Sequence, residues 1–164
     1  MDGDTDGTPT APPLPEPHEN LKVVSLAPSV TETLFALGAG DNVAGVTSYC
    51  NYPPRAGDLP KVGTLVAPSV EMILSLSPDL AVASRSGGNR LESALALYSA
   101  GVPVLALRDD SLQALSDSYE RLGEILDRQE RASELVASVQ DVLELSMAGA
   151  RKGRGLWVVS VEPL

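Results

Sequence analysis

The sequence predicts an α/β fold, a parallel sheet with helices on both faces. Short aliphatic segments alternate along the chain with longer segments that have helical periodicity and helix-capping residues. The apolar residues are mainly Ala, Val and Leu, and aromatic residues make up 4% of the chain. Such strands are typical of parallel sheets that are buried on both faces. With 164 residues, the chain is long enough for one domain with its own hydrophobic core.

The first strand–helix–strand unit is predicted where this alternation begins. Residues 23–26 form a short apolar strand. Ser29 and Glu32 have the spacing of a capping box, which predicts that a helix begins there. Gly38 is expected to end this helix, and residues 43–46 form the second strand.

A long irregular segment, residues 47–67, follows the second strand and contains several prolines. Loops of this length tend to be functional. Because the carboxyl ends of parallel strands lie at one edge of a sheet, this loop is expected beside the turn Ala27-Pro28-Ser29. Tyr49 adds an aromatic ring to the loop. The combination favours the binding of a large, partly flat molecule over covalent chemistry.

The rest of the chain continues the alternation of helices and strands. The predicted helices begin at capping residues, and two of these have Glu or Gln three residues later. In chain order we first expect a helix from Ser69 to about Leu76, a strand at 80–83, a helix capped by Asn89 with Glu92 and a strand at 102–107. A helix capped by Asp110 with Gln113 follows, and it ends at a break near Arg128. The last predicted elements are a helix at about 130–150 and a strand at 156–161.

Composition excludes several classes of function. The net charge of −10 argues against nucleic acid and against anionic lipid, since both need a basic surface. Cys50 is the one cysteine, so an internal disulfide is excluded. His18 is the one histidine, and a zinc or manganese site built from several imidazoles is therefore not expected. The sequence has no G-x-S-x-G, P-loop or G-x-G-x-x-G motif, so it does not predict an enzyme.

Five segments, by their order and spacing, resemble one known family. They are SLAPSVTETLFALGAG, GVTSYCNYPP, LPKVG, SVEMILSLSPDLAVA and RSGGN. They resemble the N-terminal lobe of a cobalamin-type substrate-binding protein of an ABC transporter, a class in which one rigid helix joins two Rossmann-like lobes.

The resemblance implies a domain organisation. Residues 21–127 would be the N-terminal ligand-binding lobe, residues 130–150 the helix that connects the lobes, and residues 155–164 the first strand of a truncated second lobe. Residues 1–20 are acidic and rich in proline, which predicts a disordered tail. Such a tail suits a spacer behind a lipid anchor on the periplasmic or extracellular face of a membrane.

The resemblance also implies a ligand site and a docking site. The residues expected to contact the ligand between the lobes are Pro28, Ser29, Tyr49, Leu65, Ser84, Arg85 and Asn89. Tyr49 keeps a position at which cobalamin binders place an aromatic ring. Leu65 and Ser84 stand where the best-known cobalamin binder has tryptophan. Glu71 matches the glutamate with which the family docks on arginines of the permease.

The ligand and the class of function each have alternatives. The family carries corrinoids, haem or ferric siderophores. Arg85 or Arg108 could form ion pairs with the carboxylates of haem or of a ferric siderophore. No resident cofactor and no protein-bound metal are expected. A different class, an interaction module that forms a homodimer through the strand at 156–161, is the second alternative, because an uncovered strand pairs readily with another chain.

Overall fold

Strands and helices alternate in the computed structural model, which describes residues 10–86 and 91–148. In chain order the elements are β1 (Val23–Ser25), α1 (Pro28–Ala36), a 3₁₀ turn (Gly40–Asn42), β2 (Val43–Val46), α2 (Pro54–Gly57), α3 (Val70–Ser75), β3 (Leu80–Ser84), α4 (Leu91–Ser99), β4 (Val104–Leu107), α5 (Leu112–Ile125) and α6 (Gln129–Ala148).

All strand pairs of the described sheet are parallel, in the order β2-β1-β3-β4. The chain moves outward from β1 to β2, then crosses back to β3 and continues to β4. The central pair is in register from Val23 opposite Leu80 to Ser25 opposite Val82. Ligands of open α/β sheets bind where the strand order reverses, which in this sheet is the carboxyl end of β1 and β3.

The core lies on both faces of the sheet, because side chains alternate along buried strands. Leu80 and Val82 of β3 belong to the cluster that includes α1, α5 and the start of α6. Ala81 and Ala83 of the same strand belong to the cluster that includes α3 and α4. The predicted fold class, a parallel sheet with helices on both faces, is confirmed.

Two helices of the first face approach each other closely. A Cβ atom on Gly123 of α5 would lie 2.5 Å from the Cβ atom of Ala132 in α6. Asp127, with φ of 55°, turns the chain between them. The 20 residues of α6 span about 30 Å. The predicted end of this helix at residue 150 lies outside the described residues, and its role as a connector stays a prediction.

The predicted capping box at Ser29 and Glu32 is wrong. Helix α1 begins two residues earlier, with Ala27 as the N-cap in place of Ser29 and with Pro28 in the first turn. Proline fixes φ near its helical value and needs no partner for a missing N–H, so it suits the first helical position. Ser29 therefore lies inside the first turn, where its hydroxyl caps nothing.

The predicted cap at Asp110 is also wrong, by one residue. Ser111 is the N-cap of α5, and its hydroxyl oxygen accepts a hydrogen bond of 3.1 Å from the backbone N–H of Ala114. Asp110 instead pairs with Arg108, since its Oδ2 lies 3.3 Å from Nη2 of that arginine. The cap predicted at Ser69 is confirmed: its hydroxyl accepts from Met72 N.

Residues 10–20 contain no helix or strand, yet they contact the folded part. Leu14 packs against the first core cluster, and the backbone N–H of His18 donates to the carbonyl of Ile125 at 3.3 Å.

The strand predicted at 156–161 lies outside the described residues. Among the described helices, none has the length and apolar composition that crossing a lipid bilayer demands.

Candidate functional site

The carboxyl ends of the four strands define one edge of the sheet, which we call the carboxyl edge. An open groove of about 230 Å³ lies at this edge, between α1 and α5. Two of the predicted ligand residues, Ser29 and Ser84, line it together with Asp109, Glu32 and Tyr119. The structure thus brings the loops after β1, β3 and β4 to one place.

The turn after β1 is fixed by buried hydroxyl groups. The Oγ of Ser25 donates to the carbonyl oxygen of Ala27 at 3.0 Å and lies 2.7 Å from Oγ1 of Thr31. These contacts hold the end of β1 against the first turn of α1. Pro28, the first residue of α1, is half-buried, and Ser29 is exposed.

The loop after β2 presents two tyrosines to solvent. Tyr49 and Tyr52 have 60% and 63% of their surfaces exposed. Between them, Cys50 is buried and its Sγ lies 3.1 Å from Oγ1 of Thr47. The loop is therefore anchored at Cys50, and the two rings flank the anchor. Aromatic faces on an anchored loop suit contact with a flat ligand.

Lys61 also holds this loop. Its ammonium group donates to the carbonyl oxygen of Cys50 at 3.1 Å and to that of Ala56 at 3.0 Å. Next to it, the backbone N–H of Ser48 donates to the carbonyl of Gly63 at 2.9 Å. Leu65, which we predicted as a ligand contact, is half-buried and packs against the first core cluster.

A polar cluster joins the loops after β3 and β4. The hydroxyls of Ser84 and Ser86 both donate to Oδ2 of Asp109, Ser84 at 2.8 Å. These bonds favour the charged carboxylate. They hold the pKa of Asp109 below its usual range, and the bond from Ser86 has a larger effect than the bond from Ser84. Partial burial opposes this lowering of the pKa. Asp109 is therefore an anion with a fixed orientation at the mouth of the groove.

The two arginines at this edge differ in their contacts. Arg108 forms the ion pair with Asp110 described above. Arg85 is exposed, and its backbone N–H donates to the carbonyl of Leu107 at 2.9 Å, which ties the end of β3 to β4. Asn89, the remaining predicted ligand contact, lies outside the described residues.

Glu71 lies apart from the groove. It is exposed in the first turn of α3, which packs on the second face of the sheet through the buried Ile73. An acidic side chain there interacts favourably with the helix dipole. The predicted docking role of Glu71 is compatible with this exposure and stays a prediction.

Sequence reasoning missed Asp109, Ser86 and Tyr119. Asp109 lies beside the predicted cap Asp110, and it comes two residues after the end of β4, as Ser86 comes two residues after the end of β3. Applying one rule to the carboxyl ends of all strands would have found it.

Across residues 10–86 and 91–148, no group of three or more His, Cys, Asp or Glu side chains is placed to hold a metal ion.

Comparison with known proteins agrees with this fold. Residues 23–153 match the periplasmic binding protein family. The chain is 38% identical over 128 residues to the uncharacterized ABC transporter substrate-binding lipoprotein YvrC of Bacillus subtilis (strain 168), an alignment that covers 77% of this chain and 40% of the relative.

Two solved structures share both fold and sequence with the chain. The periplasmic haem-binding protein RhuT from Roseiflexus sp. RS-1 is 32% identical with a TM-score of 0.70, over 79% of this chain and 49% of its own. The periplasmic vitamin B12-binding protein BtuF of Vibrio cholerae is 28% identical with a TM-score of 0.73, over 80% and 51%. The chain spans about half the length of these proteins. It belongs to the periplasmic binding protein family.

Proposed function

We propose that the chain is the N-terminal part of the solute-binding component of an ABC importer, and that its carboxyl edge holds a corrinoid. The observation that carries this proposal is the anchored loop after β2, which exposes the rings of Tyr49 and Tyr52. The named relatives support it, since they include an ABC transporter substrate-binding lipoprotein and a vitamin B12-binding protein. Such a component binds and delivers its ligand without converting it.

A second candidate ligand is haem or a ferric siderophore. The haem-binding relative from Roseiflexus is as similar in fold as the vitamin B12-binding one. Arg85 is exposed at the carboxyl edge, where a guanidinium group favours ligand carboxylates. Haem, like a corrinoid, is large and flat, so the tyrosine loop serves both of these ligands.

In this proposal the other predicted parts have definite roles. Helix α6 connects the lobe at residues 21–127 to a second lobe, and Glu71 docks on the permease. The location is the outer face of the cytoplasmic membrane, where a lipid anchor would suit the likeness to a lipoprotein. Homodimer formation through residues 156–161 stays a separate prediction, because these residues are not described.

The test is a titration of the complete gene product with cyanocobalamin and with haem, followed by absorbance. Saturable binding of either ligand supports the proposal, and the tighter one identifies the cargo. Tyr49→Ala should weaken binding about threefold to tenfold through the loss of ring contact. Tyr49→Phe keeps the ring and should bind as the wild type does. A ferric siderophore is titrated in the same way, and binding of none of the three ligands would contradict the proposed function.

The docking role is tested with the same protein in vesicles that contain its permease. Glu71→Gln should reduce ligand uptake and leave the ligand affinity unchanged, because Glu71 lies outside the groove. Equal uptake by the variant and the wild type would remove Glu71 from the docking surface.

A further inference from the structure

The polar cluster at the carboxyl edge has a geometry that bears on the choice of ligand. Ser84 is 5% exposed and forms the floor of the cluster, whereas Asp109 is exposed at the mouth of the groove. Both serine hydroxyls donate to Oδ2, and the backbone N–H groups of Ser86 and Asp109 also stabilise the carboxylate. These contacts fix the orientation of a carboxylate that stays exposed at the groove, where it can accept a hydrogen bond from a ligand.

Among the residues that the structure describes, no charged side chain forms an ion pair with this carboxylate. Among the described residues that line the groove or follow β3 and β4, the ionised side chains are those of Glu32, Arg85, Arg108, Asp109 and Asp110. Three are carboxylates and two are guanidinium groups. Asp110 engages Arg108 in the ion pair at 3.3 Å. Asp109 has its bonds to serine hydroxyls instead, so it presents a negative charge to a ligand in the groove.

We infer that Asp109 is a selectivity residue of the binding site, which favours ligands with N–H donors on their rim over ligands with carboxylates there. This inference rests on the proposed function. A corrinoid carries carboxamide groups around its ring, and these can donate to a carboxylate oxygen. Haem carries two propionates, which an oriented carboxylate repels. A carboxylate placed opposite a carboxylate of the ligand lowers the affinity for that ligand. It changes the affinity for a ligand without carboxylates much less, and the difference is the selectivity.

The serines make this selectivity possible at an exposed position. An isolated surface carboxylate turns freely and is well solvated, so its effect on a neighbouring charge is small. Two hydroxyl donors from β3 and the following turn remove that freedom and keep the group ionised. Ser84 stands where the best-known cobalamin binder has tryptophan, so this chain replaces a ring contact there with support for an anion.

The inference is tested with Asp109→Asn in the complete gene product, titrated with cyanocobalamin, haem and haem dimethyl ester. The variant removes the charge and keeps the shape and an acceptor oxygen. We expect the haem affinity to rise about threefold relative to that for cyanocobalamin, the effect of one oriented surface charge. The dimethyl ester has no carboxylates, so its affinity should not change.

Asp41→Asn is the matched control for net charge. Asp41 lies in the 3₁₀ turn before β2, at the opposite edge of the sheet, where it pairs with Arg55. An equal shift in this control, or no shift in Asp109→Asn, overturns the inference and leaves the proposed function standing. Binding of none of these ligands and of no ferric siderophore by the wild type overturns both. Should Asp109→Asn fail to fold, Asp109→Ser removes the same charge and decides the point.

Discussion

At the scale of single residues, the site depends on side chains that hold backbone loops in place. Lys61 is the clearest case, because its half-buried ammonium group bridges the carbonyls of Cys50 and Ala56. The first carbonyl belongs to the anchor between the exposed tyrosines, and the second belongs to the short helix α2. One cation thus joins the two ends of the segment that carries Tyr52 and the double proline, which orders this loop before a ligand arrives.

Replacing Lys61 with methionine should therefore lower both stability and affinity. Methionine keeps the aliphatic length and removes the two hydrogen bonds, so the free energy of unfolding should fall by about 1–2 kcal/mol. The measurement is urea denaturation followed by circular dichroism. Lys22→Met is the control, since the Lys22 side chain is exposed at the amino end of β1. Equal stability of the two variants would mean that Lys61 does not hold the loop.

At the scale of elements, the two helices that border the groove begin in different ways. Helix α5 has a side-chain cap, in which Ser111 accepts from the backbone N–H of Ala114. Helix α1 has no side-chain cap and begins with Pro28, while Ser29 lies within its first turn. Both serines are exposed near the carboxyl edge, and their contributions to stability should differ for this reason.

Ser111→Ala should destabilise the protein by about 1 kcal/mol, the usual effect of removing an N-cap hydroxyl. Ser29→Ala should change the free energy of unfolding by no more than about 0.3 kcal/mol, because the Ser29 hydroxyl satisfies no helical N–H. Chemical denaturation of the two variants side by side checks this difference. A loss at Ser29 as large as that at Ser111 would restore the capping box that the sequence predicted.

The elements themselves could be predicted from the sequence, because strands and helices here follow local patterns of apolar residues. The parallel sheet, the glycine end of α1 at Gly38 and the cap at Ser69 are confirmed in this way. Contacts between distant segments have no such local pattern. The bond between Ser84 and Asp109 joins residues 25 positions apart, and no local pattern indicates it.

Lys61 shows the same limit at shorter range. Its contact with Cys50 joins residues 11 positions apart, across a loop whose path is set by prolines and by the bridge to Val46. A sequence pattern identifies Lys61 as a charged residue in a loop and nothing more. Site residues that follow β1 and β3 could therefore be predicted from the sequence, whereas the bonds of Lys61 and of Asp109, which only the folded path of the chain creates, could not.

At the scale of the whole molecule, the sheet has two edges, and each has an open hollow. The groove at the carboxyl edge measures about 230 Å³, and the hollow at the amino edge, lined by Asn42 and Arg128 among others, measures about 510 Å³. Size alone would favour the amino edge. The reversal of strand order between β1 and β3, the exposed tyrosines and the Asp109 cluster all favour the carboxyl edge.

Hydrogen–deuterium exchange decides between these edges. In the complete gene product, the amides of the buried central strands β1 and β3 should exchange most slowly with or without ligand. Addition of the ligand that binds should slow exchange in the segments after β1, β2, β3 and β4, which include Ser29, Tyr49 and Asp109. The segment at Gly40–Asn42, on the amino edge, is the internal control and should not change. Protection centred on that segment would place the ligand in the larger hollow, and it would remove the tyrosine loop and the Asp109 cluster from the binding site together.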